Sequence, residues 1–322
     1  MMPRMLFIWT LVLSLLATIP GMANAETVPE TPMKMDELMI QVLPEFAYPP
    51  KDNKKNNPPL LISYYGTLRN TSDEPQKGQI RIPLPINDEG FQIGFVGDYS
   101  SDLKELNGLE YEFSKNNGVI SWVTSEEIEP QGTYKFVIEY YTNSIKQSDK
   151  KRNLSYHFKS FADIEIVNFM VVEPYNTDKF VLEPEADSHE QNSYGINMFS
   201  YMVQGMKTAE EKAIQLKYER KDKQTTEEIL NKVVGSETHQ AAMNKEKAPS
   251  WKIIFAVGAV TIVLAVILVI FLKRMSKKSH PKKKNQKVQQ ADAKQAKLRS
   301  MLLNGDISQE EYSELRKRFG GE

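Results

Sequence analysis

The chain has 322 residues, 41 Lys and Arg against 42 Asp and Glu, and no cysteine, which excludes disulfides, thiolate metal centres, iron–sulfur clusters and a thiol nucleophile. Charge is unevenly placed. Residues 273–322 hold 14 basic against 6 acidic residues, whereas residues 26–272 hold 26 against 36, the wrong sign for a nucleic-acid surface.

Residues 1–25 read as a secretory signal. Arg4 precedes the apolar run Met5–Ile19, Pro20-Gly21 stops it, and Ala23-Asn24-Ala25 supplies a small-x-small cleavage pattern. Residues 26–59 then form an N-terminal segment with one strand, Glu37–Leu43, between Pro-, Asn- and Lys-rich stretches. From residue 60 short alternating runs follow: Leu60–Leu68, Gly78–Leu84, Phe91–Val96, Leu109–Phe113, Val119–Thr124 and Tyr134–Tyr141. Turn signals separate them, Asn117-Gly118 being the sharpest.

This pattern predicts an Ig-like β-sandwich over 60–145. The runs Leu154–Phe161, Ile164–Val172, Phe180–Leu182, Ile196–Val203 and Ile214–Tyr218 read as a smaller second β-unit over 150–222, the favoured reading, or as the remaining strands of one larger sandwich. Residues 223–251 read as a helix, with Thr226 as cap, and a stalk.

Residues 253–272 are twenty uncharged residues, fifteen of them Ile, Val, Leu or Phe. On the insertion scale such a segment favours the bilayer by roughly 4 to 9 kcal/mol. A transmembrane helix is therefore expected there. Trp251 would mark the outer interface, and Lys273, Arg274, Lys277, Lys278, Lys282, Lys283 and Lys284 would lie against anionic headgroups on the cytoplasmic side. Residues 273–295 form this basic juxtamembrane region. The expected fold is thus a mainly β ectodomain, one transmembrane helix and a small cytoplasmic helical hairpin. The expected location is a bacterial cell membrane in single-pass type I topology.

The tail closes on a helix through Leu303, a Gly305 stop and a Ser308/Glu311 capping box that opens a second helix. Leu298, Met301 and Leu302 would face Tyr312 and Leu315. The run from Leu298 to Tyr312, with Asn304-Gly305-Asp306-Ile307-Ser308-Gln309-Glu310-Glu311-Tyr312 at its turn, resembles the short C-terminal module known as SHOCT. The resemblance covers residues 296–320 and implies a small oligomerising or protein-contact module without catalysis.

Chemistry-bearing motifs are sparse. His189-Glu190 opens like a zinc-protease helix, but Ser193 stands where the second histidine belongs. There is no nucleophile elbow and no phosphate-binding glycine loop. Met198, Met202 and Met206 recur every four residues, a soft-ligand set that would suit Cu(I) if the three converged. The sequence thus points to a non-enzymatic binding or scaffold module with no cofactor. Its expected partners are the lipid bilayer, another membrane or exported protein, and a second copy through the tail. The alternatives are copper or cofactor handling outside the cell, and a hydrolase.

Overall fold

In the computed structural model the described residues are 32–50, 57–232 and 283–316, apart from 309–310 and 313–314; the side chains of 283–289 are also outside the description. Alternation fixes the first strands: β1 (Met33–Pro44), β2 (Leu60–Asn70), β3 (Gln79–Pro83) and β4 (Gln92–Tyr99). Then come β5 (Leu106–Gly108), β6 (Glu112–Ser114), β7 (Val119–Val123), β8 (Thr133–Thr142), β9 (Lys146–Ser148) and β10 (Lys151–Lys159). The last five are β11 (Ile164–Val172), β12 (Thr177–Glu183), β13 (Ser188–Gln191), β14 (Asn197–Met206) and β15 (Glu211–Arg220). Residues 226–232 form a short helix, α1, and α2 spans Lys283–Asn304.

An eight-stranded sheet in the order β13-β14-β11-β1-β2-β8-β4-β5 is the frame. All its pairs are antiparallel except β1 with β11. Two smaller antiparallel sheets, β12-β15-β10-β9 and β3-β7-β6, pack on its inner face. The main core lies between them. It takes Leu38, Ile40 and Val42 from β1, Ile62 and Tyr64 from β2, and Phe136, Ile138 and Tyr140 from β8. Leu154, Tyr156 and Phe158 of β10 come from one small sheet, and Ile120 and Trp122 of β7 from the other. In β10 the sequence Lys151-Arg152-Asn153-Leu154-Ser155-Tyr156-His157-Phe158-Lys159 buries every second residue, as a half-covered strand must.

One chain of buried polar groups crosses this core. Trp122 Nε1 donates to Tyr134 Oη at 2.9 Å, and Tyr134 donates to Asp98 Oδ2 at 2.9 Å. Burial and the charge of Asp98 push the Tyr134 hydroxyl well above its ordinary pKa. Gly66 of β2 stands opposite Phe136 of β8, whose ring covers it; a Cβ on Gly66 would come within 2.2 Å of that ring.

Three expectations are corrected. The expected pair of Ig-like units shares one eight-stranded sheet and one core, because β11 and β14 join the sheet of β1, β2 and β8. The expected transmembrane helix is not found: among the described residues no helix is long and apolar enough to cross a membrane. Residues 253–272, like the signal segment 1–25, Trp251, Lys273, Arg274, Lys277, Lys278 and Lys282, lie outside the described residues. Lys283 and Lys284 open α2. The expected separate cytoplasmic hairpin is instead packed on the β domain, since the apolar side chains of residues 293–312 bury against the outer face of the main sheet.

Candidate functional site

The outer face of the main sheet is built by cross-strand rows that the register sets. One row runs Leu43, Leu61, Tyr141 and Gln92 across β1, β2, β8 and β4. The next runs Gln41, Ser63, Glu139 and Phe95, and the one beyond it Met39, Tyr65, Val137 and Gly97. A polar row thus lies between two mostly apolar ones. Period-two alternation puts these residues outward because Leu38, Ile40, Ile62, Tyr64, Ile138 and Tyr140 point inward.

The C-terminal segment covers this face. Ala293 and Ala296 are small enough to bring α2 against Phe95 and Val137, beside Tyr65, Tyr99 and Leu106. Leu298, Leu302, Leu303, Ile307 and Tyr312 then pack with Leu43, Leu61, Tyr141, Val172, Met198 and Leu230. At the centre Arg299, 5% exposed, meets Glu139, 1% exposed. Its Nε donates to Glu139 Oε1 at 3.3 Å and its Nη2 donates to Oε2. Ser63 Oγ donates to the same Oε1 at 3.4 Å.

A carboxylate taken out of water needs such a partner, because breaking a buried pair from one side costs about 3–5 kcal/mol. The pair anchors α2 at the centre of this face. Burial and the Glu139 charge also push the Tyr65 hydroxyl far above its ordinary pKa.

The ends of the covering segment are fixed by local chemistry. Gly305 takes φ 76°, its N–H reaches Leu302 O at 3.2 Å, and Asp306 N reaches Met301 O at 2.8 Å. That is a Schellman stop, for which glycine carries no Cβ penalty. Ser308 and Glu311 form a reciprocal box: Ser308 N donates to Glu311 Oε2 at 2.8 Å, and Glu311 N donates to Ser308 Oγ at 3.0 Å. Tyr194 donates to the carbonyl of Ile307, Tyr312 donates to Glu227 of α1, and Lys297 donates to the carbonyl of Lys104. In α1 the cap is Thr225 rather than Thr226: Glu228 N donates to Thr225 Oγ1 at 3.2 Å, and Thr225 N donates to Glu228 Oε2 at 3.0 Å.

Beside Arg299 a cleft of about 270 Å³ opens between helix and sheet, lined by Gln41, Tyr65, Thr67, Tyr99, Ser300 and Asn304 among others. Gln41 Oε1 is buried with no hydrogen-bond partner among the described residues.

The methionine set does not converge. Met198 is buried on the outer face with Leu230 and Leu302, and Met202 is 57% exposed. Met206 follows Gly205, at φ 66°, and sits in the main core on the opposite side. Among the described residues no group of three or more His, Asp or Glu side chains is placed to hold a metal. Motif and spacing single out neither Glu139 nor Arg299 as a site residue, Arg299 standing only within the SHOCT-like run. A single acid in the otherwise apolar run Phe136-Val137-Ile138-Glu139-Tyr140-Tyr141 is the signal that marks the first.

No protein-family model matches the chain, and no curated protein sequence matches it. Among solved structures, a Legionella pneumophila protein provisionally described as nutrient binding aligns at 12% identity over 57% of this chain and 67% of that one. Its TM-score is 0.35, a likeness too distant to carry fold or function across.

Proposed function

We propose that this protein is a non-enzymatic binding module whose outer sheet face receives an amphipathic helix bearing one arginine. Its own C-terminal segment supplies that helix in the structure. The observation that carries the reading is the buried Glu139 in a row of polar side chains, flanked by apolar rows and answered by Arg299. A helix lying in an apolar groove with one charge-assisted anchor is a recurrent recognition mode, in which apolar area supplies affinity and the ion pair supplies register. The occupant partner is then a protein helix of the same pattern: small residues where the sheet comes close, an arginine over Glu139, and leucines beyond it. The SHOCT-like turn belongs to this reading as the element that folds the last helical turn back onto α1.

The test uses the full chain with Leu302→Asp, which weakens the docked tail, and a labelled peptide of residues 290–312. Fluorescence anisotropy should show no peptide binding to the unaltered chain and micromolar binding to the variant. Adding Glu139→Gln should then weaken that binding by about tenfold or more. Failure of the Leu302→Asp chain to bind, or binding indifferent to Glu139→Gln, would refute the reading.

A further inference from the structure

We infer that a second site, at the end of the β12-β15-β10-β9 sheet, binds a phosphate-class oxyanion. The cleft there measures about 350 Å³ and is lined by Asn57, Lys150, Arg152, Arg220, Lys221 and Lys223, with Asp149 as the one carboxylate in its wall among the described residues. It owes nothing to the outer face occupied by α2.

The two arginines are structural in part. Arg152 Nε donates to Glu45 Oε1 at 2.7 Å, and Arg220 Nη1 donates to Glu45 Oε2. All three side chains are 6% exposed or less. One carboxylate between two guanidinium groups leaves a net positive charge in a site largely out of water. Backbone carbonyls of Asp149 and Lys151 take Arg152 Nη1, and those of Tyr175, Asp222 and Gln224 take Arg220. Arg152 is among the residues lining the cleft, and of the guanidinium nitrogens of the two arginines its Nη2 alone has no hydrogen bond among the described residues.

The lysines divide in the same way. Lys150 is neutralised by Glu219 at 2.7 Å, whereas the exposed Lys221 and Lys223 have no ion pair with a described residue. Asp222 is the nearby acid that offsets them, and it is engaged by Asn176 Nδ2 at 3.0 Å and Gln224 N at 2.9 Å.

A buried guanidinium beside exposed, unpaired lysines matches a tetrahedral oxyanion. The planar fork fixes orientation, the lysines add charge, and Asn57 offers a neutral polar group. A carboxylate of the same size would meet only part of this donor set. The ligand is therefore a free phosphate or diphosphate group, or the same group carried on a lipid.

Isothermal titration of the full chain with pyrophosphate tests this, alongside flotation with phosphatidylglycerol vesicles and phosphatidylcholine controls. Pyrophosphate should bind, more weakly as salt rises, and Lys221→Glu with Lys223→Glu should lower the affinity about tenfold or more at unchanged melting temperature. Vesicle binding without pyrophosphate binding, lost in the same double variant, would support the site with a lipid as its source. Binding of neither probe, or binding that the double variant leaves unchanged, would overturn the inference.

Discussion

Glu45 stands at φ 49°, fully buried, at the point where β1 ends, with a guanidinium on each carboxylate oxygen. Its backbone is used as well: its N–H reaches Pro59 O at 3.0 Å, and Thr226 N reaches its carbonyl at 3.0 Å. One residue thereby joins β1, β10, β15 and α1. Glu45→Ala leaves two buried cations facing each other and should destabilise the chain by roughly 3–5 kcal/mol, a melting temperature lower by about 10 °C. Calorimetry of the variant measures this, and an unchanged melt would mean that the triad is solvated. Nothing in Pro44-Glu45-Phe46-Ala47 announces the role, because the partners lie 107 and 175 residues further on. Pattern along a chain reports alternation, and alternation cannot name a partner.

Among the elements, those whose alternation is strong are legible and those held by backbone alone are not. β2, β7, β8, β10 and β15 fall where apolar residues recur at every second position, because one of their faces is buried in the main core. β9 and β13 carry almost no apolar residue, pair only at an edge, and give no signal. The helix ends are legible for a different reason: Gly305, Ser308 and Glu311 act through neighbours within five residues.

Turns between strands show the same local chemistry. Asp163, between β10 and β11, accepts Thr208 N and Thr208 Oγ1 at 2.9 Å and Lys207 Nζ at 3.0 Å from the β14–β15 turn. These contacts, the Thr208 amide first, hold the Asp163 carboxyl down to about 2. Because the folded value is below the unfolded one, the contribution is complete above the ordinary carboxylate range and is lost as pH falls towards 2. A carbon-detected NMR titration should place the Asp163 midpoint near 2, and Asp163→Asn should flatten the acid limb of the stability curve. A midpoint near 4 would show that the two turns are not joined in solution.

At the scale of the molecule, hydropathy and structure speak about different things. Hydropathy along residues 253–272 reports what one segment prefers as a solvent, and from it the tail and the β domain would be separated by a bilayer. The described contacts place the tail on the domain instead, through Arg299, Leu302 and Tyr312. The reason the sequence hides this contact is that the outer face reads as ordinary strand surface: Leu61, Ser63 and Tyr65 alternate with the core residues and resemble any half-polar strand.

The absence of cysteine makes the contact easy to test. Lys104→Cys with Lys297→Cys, treated with a short bismaleimide, should give a fast-migrating monomer band at all protein concentrations, because the Lys297 ammonium reaches the Lys104 carbonyl. Dimer bands alone, growing with concentration, would mean that the tail is exchanged between copies.

The placing of β1 in the middle of the large sheet also bears on how the chain is made. Its first neighbour, β2, begins at Leu60, but its other neighbour, β11, begins only at Ile164. A ribosome adding residues at about 5–20 per second needs on the order of 6–24 s to cover that interval. For that time the growing polypeptide shows one bare row of amides and carbonyls along Met33–Pro44, the kind of surface to which a neighbouring nascent chain can zip. Whatever holdase meets this polypeptide has its work set by that one late-arriving parallel strand.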